Sequence, residues 1–234
     1  MTGLDQVDGR SVLRMERRIA HPVERVWRAI TEPAGLAAWF PSPVTIELRP
    51  GGRVDYGDGP DGAVTALDPP RLIAFTWDTD HLRFELEPDG DATLLRLVHT
   101  FDDHGGAASF AAGWHACLDG LGALLDGDAV VDPGAFDHAA THEHYFAEFG
   151  LDEPVVTDGP DGWQVQVQRQ LVRPVEEVAP KLPADGDGVR WELGEGTGHG
   201  ARLVVTWSGG DAAACEAARA DLLRRVRELV AALA

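Results

Sequence analysis

The chain has 234 residues, room for one or two domains at roughly 100–200 residues each. It carries 39 acidic against 20 basic side chains, a formal charge of -19, and both halves are acidic. Nucleic acid and anionic membrane surfaces need clustered Lys and Arg, so neither is expected as a partner. The hydrophobic fraction of 44% is enough for a packed core and too much for a disordered chain. Cys117 and Cys215 lie far apart in Ala- and Leu-rich stretches, so neither a disulfide framework nor a CxxC metal site is expected. The polar start MTGLDQVDGR has no apolar core of a signal peptide, and no run approaches 18 apolar residues. The expected location is the cytoplasm.

In chain order, SVLRMERRIA (11–20) alternates, with Leu13, Met15, Arg17 and Ile19 on one face of a strand. Pro22 then suits the first turn of a helix that places Val23, Val26, Trp27 and Ile30 at helical spacing. A short second helix follows in EPAGLAAWFP, with Leu36, Trp39 and Phe40 apolar. The next segments read as strands: VTIEL (44–48), RVDYGD, GAVTALDPP, LIAFTW (72–77), LRFELEP (82–88) and ATLLRLVHTF (92–101). Their alternation gives one apolar and one polar face, the mark of an antiparallel sheet covered on one side. Phe110, Trp114, Cys117, Leu118, Leu121 and Leu125 then form the stripe of a long amphipathic helix, whose natural partner is that apolar face.

These segments resemble a known family. RRIAHPVERVWRAITEPAGLAAWF, ELRPGGRV, DPPRLIAFTW, LRLVHTF and GWHACLDGLGALLDG, within residues 11–127, resemble the helix-grip superfamily of START, Bet v 1 and polyketide-cyclase domains. Within it they look like the branch named after the activator of Hsp90 ATPase. HEHYFAEFG (142–150) is similar to the way bacterial members of that branch end. The resemblance implies an α+β fold, a curved antiparallel sheet wrapped around a long C-terminal helix. It leaves activity open, because the superfamily holds lipid carriers, receptors, cyclases and cochaperone domains.

A repeat is also visible. VLRMERRIAHPVERV (12–26) aligns with QVQVQRQLVRPVEEV (164–178), so that Arg17 meets Arg169. RFELEPDGDATLLRLVHTF (83–101) aligns with RWELGEGTGHGARLVVTW (190–207) with one residue lost in the turn, pairing Leu97 with Leu203 and Phe101 with Trp207. The expected organisation is a START-like domain over 1–132, a connector with one helix over 133–162, and a reduced repeat of strand, helix, hairpin and helix over 163–234. The reduced copy is expected to be too small to enclose a deep cavity, and marginal by itself. Its unpaired strand edge, or the helix ending RRVRELVAALA, could pack in trans, so a homodimer or a protein partner is open.

Candidate site residues follow from the gripping faces. His99 is the polar interruption of an apolar strand face. It would orient or protonate a ligand, unless it is a satisfied core histidine. Trp39, Phe40, Trp77, Phe84, Phe101, Phe110 and Trp114 would wall a ligand, or simply fill the core. Arg17 would be a second polar anchor, or half of a structural ion pair with Glu24, as Arg169 would be with Glu176. His115 and Asp119 read as a solvated pair. His138, His142, His144 and Glu143 lack the HExxH spacing of a zinc site. No metal and no cofactor is expected, and the absence of GxSxG, P-loop and GxGxxG contexts weighs against a hydrolase.

The leading expectation is therefore a binding protein for a small, mostly apolar molecule held between sheet and helix. The alternatives are a cyclase-, aromatase- or dehydratase-like enzyme using His99, and a protein-interaction or chaperone-regulator module without a ligand. An open cavity of roughly 300 Å³ or more favours the first two, and a filled one the third.

Overall fold

The computed structural model describes residues 1–128, 136–159 and 162–233. Of the expected connector, residues 133–135, 160 and 161 lie outside the described residues, as do 129–132. The chain divides into two compact units, residues 1–107 with 111–137, and residues 138–234 with 108–110.

In the first unit the described residues form an eight-stranded antiparallel sheet. Its strands are β1 (Thr2–Val7), β2 (Arg10–Ile19), β3 (Thr45–Ile46), β4 (Arg53–Asp55), β5 (Gly62–Asp68), β6 (Leu72–Trp77), β7 (Asp80–Asp89) and β8 (Ala92–Phe101). They lie in the order β1-β2-β8-β7-β6-β5-β4-β3. Helices α1 (Val23–Thr31) and α2 (Pro33–Trp39) sit between β2 and β3, and α3 (Ala107–Asp126) follows β8. Leu13, Met15, Leu82, Phe84, Leu95, Leu97 and Phe101 are all buried, so the alternating apolar positions share the covered face. Trp114, Leu118, Leu121 and Leu125 on α3 are buried as well. Gly127 ends α3 with φ 77°, and its N–H returns to the carbonyls of Ala123 and Leu124. That left-handed position is cheap for glycine and costs a side-chain-bearing residue about 1–2 kcal/mol.

β1 was not expected from the sequence. It is a half-exposed edge strand paired with β2 through Asp8 and Gly9, both at positive φ. The expected strand over 44–48 shrinks to Thr45–Ile46.

α2 is joined to α1 by a specific hydrogen bond. Pro33 has no N–H to offer the Ala29 carbonyl, so that helix-end acceptor is orphaned within the backbone. The buried Trp39 indole supplies the donor at 3.0 Å. We expect Trp39→Phe to lower stability by about 1–2 kcal/mol, from a buried carbonyl left unpaired. Urea unfolding of the full chain measures it.

In the second unit, α4 (His138–Glu148) precedes β9 (Val155–Gly159), β10 (Gly162–Gln170), α5 (Val175–Val178), β11 (Val189–Glu195), β12 (Ala201–Gly209) and α6 (Cys215–Leu233). The described strands form a four-stranded sheet in the order β11-β12-β10-β9. β9 falls where the sequence suggested linker. Its five residues are exposed, so no apolar alternation marks it. On α6, Ala218, Leu222, Val226, Leu229 and Leu233 are buried against Val165, Val167, Leu203 and Val205.

The succession strand, helix, hairpin, helix is common to the two units, but the ladders correct the residue alignment. Arg17 faces Leu95 across β2 and β8, whereas Arg169 faces Leu203 across β10 and β12. Leu82 faces His99 in the first unit, and Val189 faces Trp207 in the second. Both ladders therefore place Leu203 where Leu95 stands and Trp207 where His99 stands. Phe101 and Trp207 are not equivalent. A slip of two residues leaves every side chain on its own face, so alternation could not reveal it. At the ladder position of the second unit that corresponds to His99 stands Trp207.

Candidate functional site

Among the described residues, His99 in the first unit and Arg169 in the second are buried polar groups set among apolar side chains.

In the first unit, β8 presents His99 toward α3. The ring is 3% exposed. Trp114 Nε1 donates to its Nδ1 at 3.1 Å, and its Nε2 lies 2.8 Å from Asp80 Oδ2. An indole only donates, so Nδ1 must accept and the ring hydrogen sits on Nε2, donating to the carboxylate. Asp80 stands at the start of β7, its side chain 24% exposed. Neither ring nitrogen is available to a substrate in this arrangement.

Six of the seven aromatic candidates, Trp39, Phe40, Trp77, Phe84, Phe101 and Trp114, come together around His99. Phe40 lies 5.6 Å from Trp39, 5.4 Å from Trp77 and 5.7 Å from Trp114. Phe84 lies 6.0 Å from Trp39 and 6.1 Å from Trp114, and Phe101 lies 4.8 Å from the His99 ring. Phe75 and Tyr56, which the sequence did not single out, complete the set, Tyr56 stacked on Trp77 at 5.1 Å. Burial pushes the Tyr56 hydroxyl well above its ordinary value, and the hydroxyl donates to the Thr76 carbonyl. Phe75, Phe84 and Phe101 show 2% exposure or less. Rings covered this completely touch other side chains and leave no room for a water beside them. Phe110 is half-buried in the first turn of α3.

Arg17 does not pair with Glu24. Its Nε lies 3.9 Å from Asp119 Oδ1, and its Nη1 donates to the Glu16 carbonyl at 3.1 Å. Asp119 also stands 3.4 Å from His115, with a half-exposed carboxylate. Water screens such a pair, so a structural contact of small value accounts for Arg17.

In the second unit, Arg169 does not pair with Glu176. It donates to Glu143 of α4, and its guanidinium lies over the Phe146 ring at 3.5 Å. The Arg169 side chain is 8% exposed, while Glu143 is 49% exposed. Burial works against ionisation of Glu143. Hydrogen bonds from His142 and Arg169, with the charge of Arg169, outweigh it and hold the carboxyl below its ordinary range. His142 is buried, with Nδ1 3.4 Å from Glu143, and His144 faces Glu148 at 3.3 Å. Among the described residues no three His, Cys, Asp or Glu side chains are placed to hold a metal ion.

Beside this pair a groove of about 520 Å³ runs between α4, the end of β10 and α6. Phe146, Val167, Leu171, Leu223, Val226 and Val230 form its apolar wall, and Arg169 lines it. The reduced unit was expected to be too small to enclose a cavity. α4 adds to this groove a wall that the strand, helix, hairpin, helix count omitted. Leu223 and Val230 fall between the buried positions of α6, which is why they face the groove half-covered.

The eight-stranded sheet with α3 packed on its apolar face defines a helix-grip domain. Residues 20–126 match the family described as activator of Hsp90 ATPase homolog 1-like protein, so they form an AHSA1-like domain. Among solved structures, the chain is similar to a conserved protein of unknown function, EF2215, from Enterococcus faecalis. The identity is 23% and the TM-score 0.56, over 63% of this chain and 89% of that one. It is also similar to CalU16 from Micromonospora echinospora, at 23% identity and a TM-score of 0.51, over 63% and 94% of the two chains. These likenesses speak to the fold. No curated protein matches the sequence. Among the described residues no helix is long and apolar enough to cross a membrane.

Proposed function

We propose that this protein is a non-catalytic binding protein for a small, mostly apolar molecule, and that the groove of the second unit holds it. The observation that carries this reading is the groove's volume of about 520 Å³ with apolar walls and one buried guanidinium. Small-molecule sites usually fall at roughly 300–1,000 Å³, mostly apolar with a few placed polar groups. Between sheet and α3, where the family resemblance would put a ligand, Phe75, Phe84 and Phe101 are 2% exposed or less, which favours the groove of the second unit as the site. The same hydrogen bonds argue against acid–base catalysis by His99, since a general acid or base needs a nitrogen within reach of the substrate.

The neutral probe N-phenyl-1-naphthylamine tests the proposal. Wild-type protein should bind one equivalent with a saturable rise in fluorescence. Ala147 is an exposed groove residue, and Ala147→Trp should fill the space and weaken binding at least tenfold. Binding that is absent, or unchanged in Ala147→Trp, overturns the assignment.

A chaperone-regulating role is the second reading, favoured by the filled aromatic core of the first unit. Stimulation of Hsp90 ATPase by the isolated full chain, undiminished in Ala147→Trp, would establish it in place of the first.

A further inference from the structure

We infer that the molecule held in the groove is an acyl carboxylate, its chain along the apolar wall and its head group at Arg169. The inference rests on the groove being the binding site. Three observations on the groove itself lead to the head group. First, Arg169 Nε is buried and finds no hydrogen-bond partner among the described residues. A guanidinium carries five donors, and leaving one buried and unpaired costs more than a typical hydrogen bond contributes. Nε is sealed from the groove as it is from water, so the donors that an acceptor oxygen in the groove can take are the outer Nη–H groups left over by Glu143.

Second, the charges lining the groove run against the rest of the chain. Arg169, Arg173 and Arg227 stand there with Glu143 and Asp152, three cations against two anions, in a protein with a net charge of -19. Arg173 pairs with Glu177 at 3.3 Å and Arg227 with Asp152 at 2.5 Å, both between exposed side chains. Pairs of that kind contribute little, so either arginine can turn to a carboxylate at the groove at small cost. Third, Phe146 fixes the Arg169 guanidinium from below, which holds the donor in place before a ligand arrives. A preorganised, charge-assisted donor beside an apolar wall selects an anion with a hydrocarbon tail over a neutral molecule of the same length.

Decanoate, decanol and methyl decanoate, titrated against the full chain by displacement of N-phenyl-1-naphthylamine, test the inference. Decanoate should bind at least tenfold more tightly than either neutral compound. Arg169→Gln should remove that preference and leave decanol binding unchanged. Should Arg169→Gln fail to fold, the exposed double variant Arg173→Gln, Arg227→Gln should still weaken decanoate several-fold and leave decanol as it was. Equal binding of decanoate and decanol overturns the head-group assignment while the groove reading stands. Loss of all three ligands, with no response to Ala147→Trp, overturns the groove reading itself. A dimer in native mass spectrometry that Ala147→Trp dissociates overturns both, since the groove is then covered by a second copy.

Discussion

Replacing His99 with alanine should lower the stability of the first unit by about 2–4 kcal/mol. Three costs combine: a cavity in a close-packed region, the Trp114 indole N–H left buried without an acceptor, and a lost charge-assisted bond to Asp80. The Asp80 cost is the smallest, because that carboxylate reaches solvent and water replaces the imidazole. His99→Phe restores volume but still orphans the indole, so it should cost about 1–3 kcal/mol. Trp114→Phe orphans Nδ1 in the same way. The double variant His99→Phe, Trp114→Phe removes donor and acceptor together and should be less destabilised than the sum of the singles by about 1–2 kcal/mol. Urea unfolding of the four variants gives the cycle. A His99→Ala variant of unchanged stability contradicts the structural role argued for the ring, and additive single effects contradict the indole–imidazole hydrogen bond.

Why the sequence revealed the grip but not the groove follows from which signals are local. Period-two alternation in β6, β7 and β8 and the stripe on α3 depend on neighbouring residues, so they could be read directly. Asp8-Gly9 is a hairpin signal of the same local kind. It went unread because β1 alternates poorly around Gly3 and Asp5. The partner of His99 was not legible, since Asp80 lies 19 residues away and meets the ring only through the β7–β8 register. Arg17 and Arg169 show the limit from the other side. Each was matched to a glutamate seven residues on, but Arg17 lies by Asp119 of α3 and Arg169 reaches Glu143 of α4. The groove was further hidden because α4 read as connector, and because no sequence signal marks Leu223 and Val230, which fall between the buried positions of α6, as a groove wall.

The Glu143–Arg169 pair should be unequal in its two halves. Glu143→Gln leaves a guanidinium that is 8% exposed without its counter-charge, whereas Arg169→Met leaves a carboxylate that is 49% exposed and can be hydrated. Breaking a fully buried pair costs about 3–5 kcal/mol through the uncompensated charge. With Glu143 half in water the expected loss for Glu143→Gln at neutral pH is smaller, about 1–2 kcal/mol. Arg169→Met should cost less, its aliphatic chain still covering Phe146. The pH dependence separates charge from packing. The Glu143 carboxyl is held below its ordinary value of 4.5 in the folded chain, so the unfolded chain binds the proton first as pH falls. Its contribution is therefore whole above pH 4.5 and is lost as pH drops from there through the lowered folded value. Wild type and Glu143→Gln should differ at pH 7, and the difference should shrink as pH falls below 4.5 and the acid takes up the proton that makes it resemble the amide. Urea unfolding of the second unit, followed by hydrogen exchange of α6 amides, reads this directly. A difference that persists undiminished at pH 3 would mean that Glu143 acts through shape, not charge.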